Sequence, residues 1–95
     1  MDVVVTYDVA TPDREGERRL ARVAAVCERY GVRVQYSVFE CRLDDMLFER
    51  LVSELLSVMD VHVDAVALYR LTGSVADARR TLGRRGVDWD DPLVI

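Results

Sequence analysis

The sequence contains no lysine; all 13 of its basic residues are arginine. It has one histidine, two cysteines, two prolines and one tryptophan. Each scarcity excludes something. His62 precedes an apolar strand and has no second His or Cys cluster for company. It supports neither a zinc site nor a Cys–His or Ser–His catalytic unit. Cys27 and Cys41 lack CxxC spacing and read as reduced, structural thiols. The glycines Gly16, Gly31, Gly73, Gly83 and Gly86 are scattered, so no Gly-rich phosphate loop is present. No apolar run approaches the roughly 20 residues of a membrane span. The N-terminus has no basic segment ahead of an apolar one, so no signal peptide is read there. The expected location is the cytoplasm, with no membrane partner.

What is present describes a folded chain. With 95 residues, 51% hydrophobic and 32% charged, it is long enough for a single domain, residues 1–95. A monomer of this size buries only about 60–65% of its unfolded surface, so dimerisation is a natural supplement. The formal charge of −4 argues mildly against nucleic acid. The distribution argues the other way. Arg14, Arg18, Arg19 and Arg22 crowd the start of the first helix, and Arg79, Arg80, Arg84 and Arg85 lie near the C-terminus. A GC-rich coding sequence accounts for arginine in place of lysine; it does not account for the clusters.

Hydrophobic pattern and turn chemistry divide the chain. Residues 2–8 read as a strand whose unbroken Val3-Val4-Val5 suits a central, doubly buried position. Thr11 as N-cap and Pro12 at the first helical position open a helix. Gly16 weakens its first turn, so regular helix is expected from about Glu17. Leu20, Val23, Ala24, Cys27 and Tyr30 form its apolar face, and Gly31 ends it as a left-handed cap. Residues 32–43 are strand-rich and split near Tyr36-Ser37 into two short strands or a bulged bend. Asp44 caps a second helix with a Leu43–Phe48 staple and a Leu47, Leu51, Leu55, Met59 stripe. Residues 63–71 form the last strand of the core. Ser74 then caps a short helix over residues 75–83, followed by a polar linker around Trp89 and the apolar tail Leu93-Val94-Ile95. Strand, helix, strand, strand, helix, strand is the α+β ferredoxin-like order: a four-stranded antiparallel sheet with both helices on one face. A second copy is the economical cover for the other face, and the apolar tail could add a strand to the partner's sheet.

Three constellations could carry chemistry. Asp8 is a carboxylate at the mouth of a buried strand. One carboxylate does not complete a magnesium site, but Asp8 from each subunit of a two-fold dimer would supply two. A bound water could then attack a phosphodiester. Alternatively Asp8 bonds loop amides as an ordinary strand-end residue. Arg14, Arg18, Arg19 and Arg22 suit bidentate phosphate contacts near a helix start, or form a solvated face paired with Glu15. Arg33, Tyr36 and Phe39 could stack bases on a sheet, or the two aromatics pack in a core or dimer interface. Arg79, Arg80, Arg84 and Arg85 either act on a ligand or pair with Asp77 and Asp88.

Val3-Val4-Val5-Thr6-Tyr7-Asp8, the Arg-rich helix start, Glu28-Arg29-Tyr30-Gly31 and Arg33-Val34-Gln35-Tyr36-Ser37-Val38-Phe39-Glu40 resemble the CRISPR-associated protein two family, the small adaptation proteins also classed as endoribonucleases. The resemblance covers about residues 2–71, leaving 72–95 as a variable extension. It implies a ferredoxin-like homodimer with sheets face to face and C-terminal strands crossing to the partner. It implies that Asp8 is the catalytic, metal-ligating acid, holding Mg²⁺ with Mn²⁺ as the alternative. Tyr7, Arg33 and Phe39 match the family's other motif positions, and Arg14, Arg18 or Arg19 its loop arginines, as a nucleic-acid-binding set. The implied function is spacer acquisition, with the dimer bridging two dimers of the CRISPR-associated integrase on DNA, and with metal-dependent cleavage of RNA or DNA in some members. A purely non-catalytic scaffold and a toxin-type ribonuclease of the same fold are the alternatives.

Overall fold

The computed structural model describes residues 1–83. The expected linker, the tail Leu93-Val94-Ile95 and Arg84 and Arg85 lie outside the described residues. The elements are β1 (Asp2–Asp8), α1 (Arg14–Tyr30), β2 (Gly31–Gln35), β3 (Val38–Arg42), α2 (Asp45–Val58), β4 (Ala65–Arg70) and a single turn, α3 (Val75–Ala78). The sheet order is β2-β3-β1-β4, and all three pairings are antiparallel. With its helices this is the ferredoxin-like arrangement.

β1 is central, but it alternates where a doubly buried strand would not. Val3, Val5 and Tyr7 are buried against the helices, while Val4 and Thr6 are half-buried and Asp8 is exposed. Across the sheet Phe39 and Cys41 share the helix side with Leu51 and Leu55 of α2 and Val23, Ala24, Val26 and Cys27 of α1. Val26 escapes the i, i+3, i+4 stripe read from sequence because the buried arc of α1 is wider than that stripe.

The start of α1 differs from expectation. Asp13, not Thr11, is the N-cap, and its carboxylate accepts from the Gly16 amide at 2.9 Å. The helix therefore begins at Arg14, ahead of the glycine. Gly16 is required there: a Cβ would lie 2.2 Å from the Ala10 carbonyl oxygen. That close approach seats the first turn of α1 on the loop leaving β1. Gly31 is likewise not a left-handed cap. Its backbone is extended, and the helix passes directly into β2, where a Cβ would lie 2.3 Å from the Glu40 carbonyl oxygen. Both glycines serve close backbone approach, not chain reversal.

The caps of α2 and α3 agree with the sequence, but α3 ends at Ala78 where a helix over residues 75–83 is expected, and β4 spans Ala65–Arg70 rather than residues 63–71. Asp44 caps α2 by accepting from the Leu47 amide at 2.8 Å, and Ser74 caps α3 by accepting from the Asp77 amide at 3.1 Å. The break at Tyr36-Ser37 separates β2 from β3, with a register shift between Arg33 and Gln35.

The sheet face away from α1 and α2 is covered at one end by the chain itself. Asp2 accepts from the Val75 amide at 2.9 Å and from Arg42 Nε at 3.3 Å, and Arg79 pairs with Glu40. Arg79 thus finds its acid on β3, not at Asp77. Residues 79–82 lean over β2 and β3 and enclose a cleft of about 320 Å³. The opposite end of this face carries exposed Asp8 and Ala65 and half-buried Thr6 and Ala67.

Candidate metal and nucleic-acid site

Asp8 closes β1 opposite Ala65 of β4. Since Tyr7 points into the core, the alternation of a strand places the Asp8 side chain on the open face. Among the described residues, the side-chain hydrogen bonds and ion pairs do not include the Asp8 carboxylate. The described residues also contain no group of three His, Cys, Asp or Glu side chains arranged to hold a metal ion. One chain therefore offers one hard oxygen donor at this end of the sheet. That donor suits Mg²⁺ or Mn²⁺, which takes one or two carboxylates and completes its shell with water and phosphate oxygens.

The loop that follows Asp8 is held from three sides. Asp64 sits immediately before β4, and its side chain has no exposed surface. Its Oδ1 accepts from the Ala10 amide at 3.1 Å, and its Oδ2 accepts from the Asp60 amide at 2.9 Å and from Arg19 Nε at 3.0 Å. Arg19 Nη2 also donates to the Ala10 carbonyl at 3.3 Å. Burial alone would raise the Asp64 pKa. Arg19 and the two backbone amides outweigh that and hold the carboxyl below its ordinary value. Asp64 in turn raises the Arg19 pKa by hydrogen bonding. Arg19, expected among the phosphate contacts, thus has its Nε and Nη2 engaged inside the fold. Asp64 escapes the sequence reading, which absorbs residue 64 into the last strand. The available signal is one acid wedged between Val63 and the apolar run Ala65-Val66-Ala67-Leu68.

Arg14, Arg18 and Arg22 behave differently. All three are exposed and recur every four residues, so they form one row along α1. The ion pairs among the described residues include none of them, and the expected pairing with Glu15 is not formed there. Like charges at this spacing cost about 0.2–0.5 kcal/mol per pair in a helix. A phosphate ligand would offset that cost.

Tyr7, Arg33 and Phe39 come together, but on the helix side of the sheet. The Tyr7 and Phe39 rings stack at 6.1 Å, and the Arg33 guanidinium lies 5.1 Å from the Phe39 centroid and 5.6 Å from that of Tyr36. Arg33 Nη2 donates to the Tyr7 hydroxyl at 3.4 Å and lies 3.8 Å from Glu28. Burial raises the Tyr7 pKa, and Arg33 opposes it. Phe39 is 0% exposed and Tyr7 only 6%. Both rings, expected as nucleic-acid contacts, are packed in the core. Tyr36, at 63%, is the exposed ring of the group. It edges a cleft of about 330 Å³ lined also by Arg33, Glu17 and Leu20. The sheet lies between Arg33 and the Asp8 carboxylate, so Arg33 cannot neutralise charge developing at Asp8. Cys27 and Cys41 are buried and pushed up to about 12 and about 11 by that burial, which makes both inert at neutral pH.

The model of the CRISPR associated protein Cas2 family matches residues 1–78. The chain belongs to the Cas2 family. It is 40% identical over 99 residues to a Moorella thermoacetica protein named CRISPR-associated endoribonuclease Cas2 1, covering 100% of both chains. It is 40% identical over 95 residues to the CRISPR-associated endonuclease Cas2 of Halalkalibacterium halodurans, covering 99% of each. Among solved structures, Streptococcus pyogenes Cas2 superposes with a TM-score of 0.79 at 40% identity, covering 87% of this chain and 100% of that one. The Cas2 relatives thus carry both names, endoribonuclease and endonuclease. No helix among the described residues is long and apolar enough to cross a membrane.

Proposed function

We propose that this Cas2 chain works as a homodimer in CRISPR adaptation, binding nucleic acid by its backbone and cleaving phosphodiesters with a metal ion at paired Asp8 carboxylates. The observation that carries this reading is the exposed Asp8 carboxylate at the bare end of the central strand. A face-to-face second copy would bring its own Asp8 to the same place and cover Thr6, Ala67 and Tyr69. Two carboxylates ~4 Å apart repel by about 4 kcal/mol at an effective dielectric near 20, which a divalent cation reverses. When bound, Mg²⁺ or Mn²⁺ supplies an activated water and a counter-charge for the phosphoryl oxygens. The chain's own part is to hold that carboxylate rigidly and to present Arg14, Arg18 and Arg22 to phosphates. Arg33 contributes to packing rather than to the reacting group.

A non-catalytic role, in which the dimer bridges integrase dimers on DNA, is favoured by one observation: the Arg row stands apart from Asp8, along α1, and needs no chemistry to bind a duplex. Both readings require the row. With two of its arginines per chain on phosphate, about four contacts per dimer, log K for duplex DNA falls with log salt at a slope of roughly −3.6. Replacing Arg14 and Arg18 by alanine reduces that slope by most of its value and weakens all sequences equally. A titration across salt concentrations in EDTA measures it. A slope unchanged in the double variant refutes the row as the phosphate contact. For the metal site, magnesium-dependent cleavage of labelled RNA and duplex DNA, abolished by EDTA and by Asp8→Asn, is the deciding assay. Spacer acquisition that survives Asp8→Asn in cells assigns the physiological role to bridging.

A further inference from the structure

We infer that Asp64 and Arg19 are positioning residues for the Asp8 carboxylate, acting through the backbone of Ala10. The inference rests on reading Asp8 as the metal-holding acid and adds the parts that aim it.

The argument starts from where Asp8 is attached. On its C-terminal side, Val9 and Ala10 lead into the loop before α1. Laterally, Asp8 pairs with Ala65, the first residue of β4. Asp64 controls both attachments. It adjoins Ala65 along the chain, and its Oδ1 holds the Ala10 amide at 3.1 Å. Arg19 closes the other side of the same peptide segment, reaching the Ala10 carbonyl at 3.3 Å while bonded to Asp64 at 3.0 Å. Gly16 lets α1 lie against that carbonyl with no side chain between. Ala10 is therefore fixed at its N–H, at its carbonyl and over one face.

This is more than helix-to-strand cohesion requires. An ordinary buried pair would join α1 to β4 and leave the loop to solvent. Here the charge pair spends donors and acceptors on one backbone residue, two positions from the candidate metal ligand. The device also explains why an arginine is needed at residue 19. A lysine carries one donor centre and cannot bond Asp64 and the Ala10 carbonyl in the same forked geometry. Groups that orient a metal ligand from behind, without touching the ion, typically change metal affinity or activity by about 10–100-fold when altered.

The test uses full-length protein with Mn²⁺ alone as probe. Mn²⁺ affinity is read from its relaxation effect on the Asp8 and Val9 amides. Duplex-DNA affinity in EDTA and thermal unfolding are read on the same samples. Arg19→Lys keeps the charge and is the milder variant; Asp64→Asn removes the charge but keeps the shape. The expected result for both is Mn²⁺ binding weaker by about 10-fold or more, with DNA affinity in EDTA unchanged. Hydrogen exchange at the Ala10 amide of metal-free protein is expected to quicken. Should Asp64→Asn not fold, Arg19→Lys alone decides. Folded Arg19→Lys with wild-type Mn²⁺ affinity overturns the inference. So does a loss of DNA affinity in EDTA, which would make Arg19 a direct phosphate contact. Wild-type protein that binds Mn²⁺ no better than Asp8→Asn overturns the metal reading first and this inference with it. The Asp8→Asn control therefore separates the two failures.

Discussion

If Asp8 holds the metal as proposed, replacing it with asparagine is expected to lower metal-dependent cleavage by about a thousand-fold while leaving the fold and the affinity for nucleic acid in EDTA intact. The size follows from what the carboxylate does. Lewis-acid and water-activating contributions of a bound metal are worth several kcal/mol; losing about 4 kcal/mol of barrier lowering is about a thousand-fold in rate. Asparagine has the same shape but offers the ion a neutral oxygen and removes the negative charge that draws it. The fold should not suffer. Asp8 is exposed, and its side chain takes no part in the hydrogen bonds among the described residues, so the substitution breaks no contact within the chain, and in the metal-free dimer it relieves the repulsion between the paired carboxylates. This combination distinguishes the site acid from Asp64 and Asp2, whose carboxylates are tied into the structure. The check is a single-turnover cleavage assay with Mg²⁺, beside chemical denaturation. Equal cleavage rates in the two proteins would remove Asp8 from the chemistry.

Phe39→Ala has the opposite profile: about 3–5 kcal/mol of stability lost. For a domain of this length that is a large share of a total near 5–15 kcal/mol. Phe39 is 0% exposed, faces α1 and α2 from the middle strand β3, and supports two neighbours, the Tyr7 ring at 6.1 Å and the Arg33 guanidinium at 5.1 Å. Truncation opens a cavity under both. Arg33 then loses the ring that its partly buried guanidinium rests on. Phe39→Leu keeps most of the volume and is expected to cost much less. Denaturant midpoints for the three proteins read the effect. A base-stacking Phe39 would give the reverse result, with normal midpoints for Phe39→Ala and weakened binding of single strands.

These two residues also show what could be read from sequence. The place of Asp8, at the exposed end of the central strand, was legible because the apolar run stops at an acid. The break at Tyr36-Ser37 and the caps at Asp44 and Ser74 were legible because turn and capping chemistry is local. Burial of Phe39 and Tyr7 was not decided by pattern alone, since an aromatic on a strand suits a core and a binding face equally; the faces are assigned only once α1 and α2 choose a side. Arg19 looked like Arg14 and Arg18 for a related reason. The four arginines lie within the first turns of one helix, and only the third dimension shows that Asp64 reaches one of them. The glycines were misread because propensity rules treat Gly16 as a weak helical residue and Gly31 as a helix terminator. Their actual role, to let backbone approach Ala10 and Glu40, depends on contacts that are distant along the chain.

The separation of Asp8 from Arg33 follows the same logic. Both belong to the motif-bearing strands, yet strand alternation sends them to opposite faces. What each face does therefore differs. The helix side is a core with Arg33 stacked at its margin. The open side is covered by residues 74–82 near Asp2 and left bare near Asp8.

The central claim is that Asp8 is half of a metal site which two copies complete. Counting Mn²⁺ ions bound per chain, by isothermal titration of dimeric protein, tests it most directly. The account predicts saturation at one ion for every two chains, with no such binding in Asp8→Asn. One ion per chain, or the same stoichiometry retained in Asp8→Asn, would contradict it.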